Sequence, residues 1–185
     1  MRSMNDRQDV KTLGRLRDNL IASLQVPPWH APAKAWLPVP FFALISVLVG
    51  FQTGLLELAP LNSEAMLWLP ITLFIFPSLL EEAFFRGVLI PRNVERKGPE
   101  KTWQAIVLSS LAFVVWHPLN ALTFNTAANP LFLDPAFLII VTLLGLTCGY
   151  SYALSRSLWV PIIIHWATVT VWVLFLGGRN LVLEL

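Results

Sequence analysis

"SLLEEAFFRGVLIP", residues 78–91, sets two adjacent carboxylates and an arginine inside a run that otherwise reads as hydrocarbon. The fold depends on whether that run is a soluble core or a membrane span. Hydrophobic residues make up 56% of the 185-residue chain and charged residues only 13%, with a mean hydropathy of +0.65. A soluble domain of this size carries about a quarter charged residues. The chain therefore reads as an integral membrane protein, and Glu81, Glu82 and Arg86 as charges inside a span.

Further apolar runs lie on either side. With residues 66–90 they make five: 38–56, 66–90, 103–121, 136–155 and 158–177. Each is near the ~20 residues a helix needs to cross about 30 Å of hydrocarbon. None shows the period-2 alternation of a barrel strand. The expectation is an all-α polytopic bundle of about five transmembrane helices. Pro38, Pro40 and Gly50 predict a short or kinked first span. A basic N-terminal segment, 1–36, precedes the bundle, which occupies 37–180, and a short tail follows at 181–185. Residues 1–24 read either as an amphipathic helix on the membrane surface, from Leu13, Leu16, Leu20 and Leu24, or as a solvated tail.

Cations fix the orientation. Arg2, Arg7, Lys11, Arg15, Arg17 and Lys34 precede the first span. Arg92, Arg96, Lys97 and Lys101 lie between the second and third, and Arg156 between the fourth and fifth. The alternate loops hold Glu57, Glu64 and Asp134, and the sole cation on that side is Arg179. This asymmetry predicts a cytoplasmic N-terminus and an odd number of spans. The single cysteine, Cys148, cannot form an intramolecular disulfide. Lipid is the expected surrounding partner, with no nucleic acid.

Ionisable groups inside spans are expensive and normally face the bundle interior or water. Here they are Glu81, Glu82, Arg86, His117 and His165. Glu82 and Arg86 are four apart on one helix face, the spacing of an ion pair. Glu81 points about 100° away and needs other company. From the span ends, Glu81, His165 and His117 lie at depths of about 15, 10 and 20 Å, so a shared layer is open to them. A glutamate beside a histidine in a dry pocket can act as a general base on water. A second histidine, with a neighbouring hydroxyl or amide, can stabilise an oxyanion. That is equipment for amide hydrolysis without a nucleophilic serine or cysteine. The competing reading is zinc, with Glu81, His117 and His165 as ligands, although no HExxH occurs. Two non-hydrolytic classes also use buried polar groups: a membrane scaffold or immunity protein, and a transporter, which five spans without paired halves do not favour.

"EEAFFR" (Glu81–Arg86) fits EExxxR, "FVVWH" (Phe113–His117) fits FxxxH, and His165 in "PIIIHWATV" supplies a third histidine motif. In this order the three resemble the CPBP intramembrane endopeptidases. That family is also called Abi or CAAX-protease-related, and it includes the Rce1-type prenyl-protein endopeptidases. The resemblance covers about residues 66–177. It implies that Glu81 and His117 activate a water, that Glu82 and Arg86 orient the site, and that His165 helps to stabilise the oxyanion, without a metal. It also implies a hydrolase acting on a membrane-associated peptide or protein tail, and a compact chain without organelle signals reads as a protein of the bacterial inner membrane. One position departs from the pattern. The family places Asn or Asp four residues after the third-motif histidine, where this chain has Val169. Thr168 and Thr170, the candidate stand-ins, each lie one residue from that position and so about 100° around the helix from it.

Overall fold

Every residue of a membrane-spanning backbone must satisfy its N–H and C=O within the protein, which leaves the helix as the economical solution for apolar runs of this length. The computed structural model describes residues 4–178, with backbone alone for 4–13 and 65. Arg179 and the 181–185 tail lie outside the described residues. All five apolar runs are helical, but they are not alike.

The chain begins with α1 (Met4–Leu24) and enters the bundle through α2 (Pro38–Thr53). Of the two forms expected, the first span takes the short one: α2 holds 16 residues and runs unbroken. Pro38 and Pro40 fall in the first turn, where a missing N–H costs nothing. Gly50 leaves a gap that Leu56 fills, since a Cβ there would stand 2.3 Å from Leu56 Cγ.

The second run is broken, contrary to the single span expected over 66–90. It consists of α3 (Leu69–Leu73), a π-type stretch Phe74–Leu79, α4 (Leu80–Glu82) and a second π-type stretch Ala83–Val88. Phe76, at φ −133° and ψ 120°, is extended. Pro77 has no N–H to offer the preceding turn. Ser78 Oγ donates instead to the Leu73 carbonyl at 2.8 Å. Trp166 Nε1 donates to the Pro70 carbonyl at 2.8 Å, tying the break to the last helix.

Next come α5 (Pro99–Thr123), the one-turn α6 (Asn129–Phe132), α7 (Pro135–Ser155) and α8 (Trp159–Phe175). Asp134 caps α7 by accepting from the Ala136 and Phe137 amides at 2.8 and 3.0 Å. Among the described residues, three helical stretches are long and apolar enough to cross a membrane: Ala33–Thr53, Pro99–Thr123 and Pro135–Ser155. The fifth run, expected over 158–177, gives the shorter helix Trp159–Phe175.

Contacts sort the ends of the bundle. At one end, Arg156, between α7 and α8, pairs with Glu95, which precedes α5. There too the last turn of α1 docks. The Leu158 amide donates to the Ser23 carbonyl, Trp159 Nε1 to the Leu24 carbonyl, and Ser23 Oγ meets the Tyr152 hydroxyl at 3.0 Å. At the other end the loop after α2 runs along the close of α8, with the Leu61 amide donating to the Leu174 carbonyl at 2.8 Å. The outward faces of α2 and α5, with Phe41, Leu44, Leu48, Leu108, Leu111 and Leu119 exposed, carry the apolar surface a lipid environment requires. A core of Phe85, Phe113, Leu144, Cys148, Val160 and Ile164 fills the centre.

Candidate active site

The centre is built outward from Arg86, which is fully buried. Its Nη1 donates to Glu82 Oε1 at 3.0 Å, one helical turn back. Its Nη2 donates to the Gly145 carbonyl of α7 at 3.1 Å. Its Cζ lies 4.5 Å from the centre of the Phe113 ring, a cation–π contact worth about 0.5–2 kcal/mol. The EExxxR spacing thus does two local jobs. It pairs Glu82 with Arg86 on the buried face, and it turns Glu81 toward a different neighbour.

That neighbour is shared with α5 and α8. Glu81 Oε1 accepts from Trp116 Nε1 at 3.2 Å. Glu81 Oε2 stands 4.0 Å from His165 Nε2 and has no hydrogen-bond partner among the described residues. His165 is held at its other nitrogen, where Nδ1–H donates to Glu82 Oε1 at 2.8 Å. His165 is therefore seated on Glu82 rather than standing alone on its helix, a link between residues 83 apart that sequence reading did not foresee.

FxxxH has its own physical reason. His117 Nδ1–H donates to the carbonyl of Phe113, one turn back, at 2.8 Å. With that proton on Nδ1, His117 Nε2 is left as an acceptor. The Phe113 ring lies edge-on to both His117 and His165, at 4.9 and 5.7 Å between centroids. Phe132 and Phe137 close on His117 from the other side, at 5.2 and 5.5 Å. Aromatic rings thus pack against both histidines.

A cavity of about 640 Å³ opens beside this centre. Glu81, His117 and His165 all line it, whereas Glu82 and Arg86 sit behind the wall. The five sequence-predicted residues thus gather into one cluster, three facing the cavity and two supporting. Val169 and Thr168 line the cavity too, but the Thr168 hydroxyl donates to the Ile164 carbonyl of its own helix at 2.8 Å. Thr170 is absent from the wall.

Five polar residues on the wall escaped sequence reading: Trp36, Ser46, Asn120, Asn125 and Trp172. Asn120 had a readable signal, three residues after His117 on the same helix face. The others carry no charge and stand at no motif spacing. No group of three His, Cys, Asp or Glu side chains placed to hold a metal ion occurs among the described residues.

A family model described as Type II CAAX prenyl endopeptidase Rce1-like matches residues 63–171. The match takes in all five clustered residues. No curated protein and no solved structure matches the chain.

Proposed function

The chain belongs to the Rce1-like family, and on that premise we propose that it is an intramembrane endopeptidase. In this reading a water held by Glu81 and His117 attacks a peptide bond of a membrane-associated peptide or protein tail. The observation that carries it is Glu81 Oε2. One oxygen of this carboxylate is anchored by Trp116, and the other is buried with no hydrogen-bond partner among the described residues, beside a cavity shared with two histidines.

The chemistry follows from the acceptors. Glu81 Oε2 and His117 Nε2 can each accept one hydrogen of a water, which leaves its lone pair free for the substrate carbonyl carbon. The new C–O bond forms as Glu81 takes a proton. The C–N bond then breaks as that proton passes to the departing nitrogen, giving a carboxylic acid and an amine. Glu82 and Arg86 position His165. His165 Nε2, when it carries a proton, faces the developing oxyanion, with the Asn120 amide as the other donor where Val169 offers none.

Glu81→Gln removes the base and keeps the shape. Cellular peptide termini, compared by mass spectrometry at equal membrane levels, should include ends made by the wild type alone. Against a purified substrate so identified, the rate should fall about 10²–10⁴-fold. Full hydrolysis by Glu81→Gln would falsify the role of Glu81. A non-catalytic scaffold or immunity protein of the same fold is the second reading, favoured by Val169 on the cavity wall. It expects identical termini with both proteins.

A further inference from the structure

Two donors in the cavity wall have no part in that hydrolytic machinery. Ser46, on α2, is 8% exposed. Its Oγ and the Nε1 of Trp172, on α8, are both buried and have no hydrogen-bond partner among the described residues. Both side chains line the cavity that holds Glu81, His117 and His165. A hydroxyl inside a helix ordinarily bonds back to the carbonyl one turn before. Ser110, Thr123, Thr142 and Thr168 do so here, and Ser46 does not. Buried donors left unmade are costly. Two on one wall point to a ligand that brings acceptors.

Spacing narrows the class of ligand. Trp172 follows His165 by seven residues, almost two turns, so both lie on one face of α8 about 10 Å apart along its axis. An extended peptide rises about 3.3 Å per residue, so that separation is about three residues of substrate. Apart from the catalytic cluster, Asn120, Asn125 and Thr168, most of the remaining wall, with Val39, Phe42, Leu144 and Ile164, is apolar. An acyl or isoprenoid chain would fill such a wall but offers no acceptor to either donor. A peptide main chain offers a carbonyl at every residue. Both donors also lie outside residues 63–171, the stretch that matches the family model.

Resting on the endopeptidase reading, we propose that Ser46 and Trp172 are specificity-determining residues. They donate to main-chain carbonyls of an extended substrate segment within about three residues of the scissile bond, so this end of the cavity takes peptide and not a lipid chain.

The test uses the full chain in lipid nanodiscs. The probe is a fluorescein-labelled pool of Lys-flanked 12-residue peptides randomised over Ala, Leu, Val, Phe and Ser. In a Glu81→Gln background, Ser46→Ala and Trp172→Phe should each weaken binding about fivefold, the worth of one hydrogen bond. With Glu81 restored, each should raise KM by a similar factor and leave kcat within about twofold. Labelled stearic acid and labelled geranylgeraniol should bind the variants as they bind the unsubstituted chain. Unchanged peptide affinity in both variants overturns the proposal, as does equal weakening for the lipid probes or a loss confined to kcat. Trp172→Phe keeps most of the ring, and Ser46→Ala removes only a hydroxyl. If Trp172→Phe does not insert, Ser46→Ala decides the matter alone. The two readings fail separately. Cleavage undiminished in both variants overturns the donor role and leaves the protease standing. Peptide binding weakened as expected in a chain that never cleaves supports the donor role and removes the protease.

Discussion

Arg86 shows how a charge is made tolerable inside a membrane protein. It spends one nitrogen on Glu82, another on the Gly145 carbonyl, and lays its plane near the Phe113 ring. Glu82 in turn holds His165. Three helices are thus tied through two charged side chains, and removing either partner of such a buried pair costs about 3–5 kcal/mol. Asn120 belongs to the same scale. Its proposed task, donating to the oxyanion, is made only in the transition state. Asn120→Ala should therefore lower kcat about 10²-fold while KM and thermal stability stay as in the wild type. Steady-state kinetics on a substrate identified from the terminus comparison check this. A rise in KM with kcat intact would assign Asn120 to ground-state binding instead. Val169, by contrast, has no donor, and Thr168 has already given its proton to Ile164.

Among the elements, the second segment departs furthest from a regular helix, and it does so just before the two glutamates. With Phe76 extended and Pro77 unable to bond, the rod is re-aimed before it reaches Glu81. The docking of α1 is the other element-level finding. Its last turns lie against the second segment through Leu20, which fills the space left by Gly87. A Cβ at Gly87 would stand 2.4 Å from Leu20 Cδ2 and 3.2 Å from Leu158 Cδ1. Gly87→Ala should push Leu20 aside at a cost of about 1–3 kcal/mol. Trypsin should then cut faster at the exposed Arg17. Gly14→Ala, whose Cβ meets nothing within 4 Å, is the control and should leave the cleavage rate unchanged or slower. Equal cleavage of wild type and Gly87→Ala would mean that α1 is held by its backbone contacts at Ser23 and Leu24 alone.

At the scale of the whole molecule, the cations gather at one end. Arg92 donates to the Ala22 carbonyl and Arg156 pairs with Glu95 there, beside the close of α1. We propose that this end is cytoplasmic, as loop charge requires. Cys148, the one cysteine in the sequence, is buried, so the chain offers a quiet background for labelling. In intact cells a membrane-impermeant maleimide should label Thr126→Cys and spare Lys101→Cys until the membrane is opened. The reverse pattern would invert the topology. A membrane helix bundle is legible in the sequence, because hydropathy and run length are properties of local composition. So are Glu81, Glu82, Arg86, His117 and His165 as candidates, because i,i+4 spacing is a local property of a helix and the three motifs stand in order. Asn120 is legible too, by its spacing from His117, though it carries no charge. The break at Phe76, the seat of His165 on Glu82, and the wall that Ser46 and Trp172 share with the candidate catalytic residues are visible only in three dimensions. Those facts depend on how each helix is rotated and placed against the others. That rotation is set by packing between residues far apart in the chain, as at Phe113, Gly50 and Gly87, and no local periodicity records it.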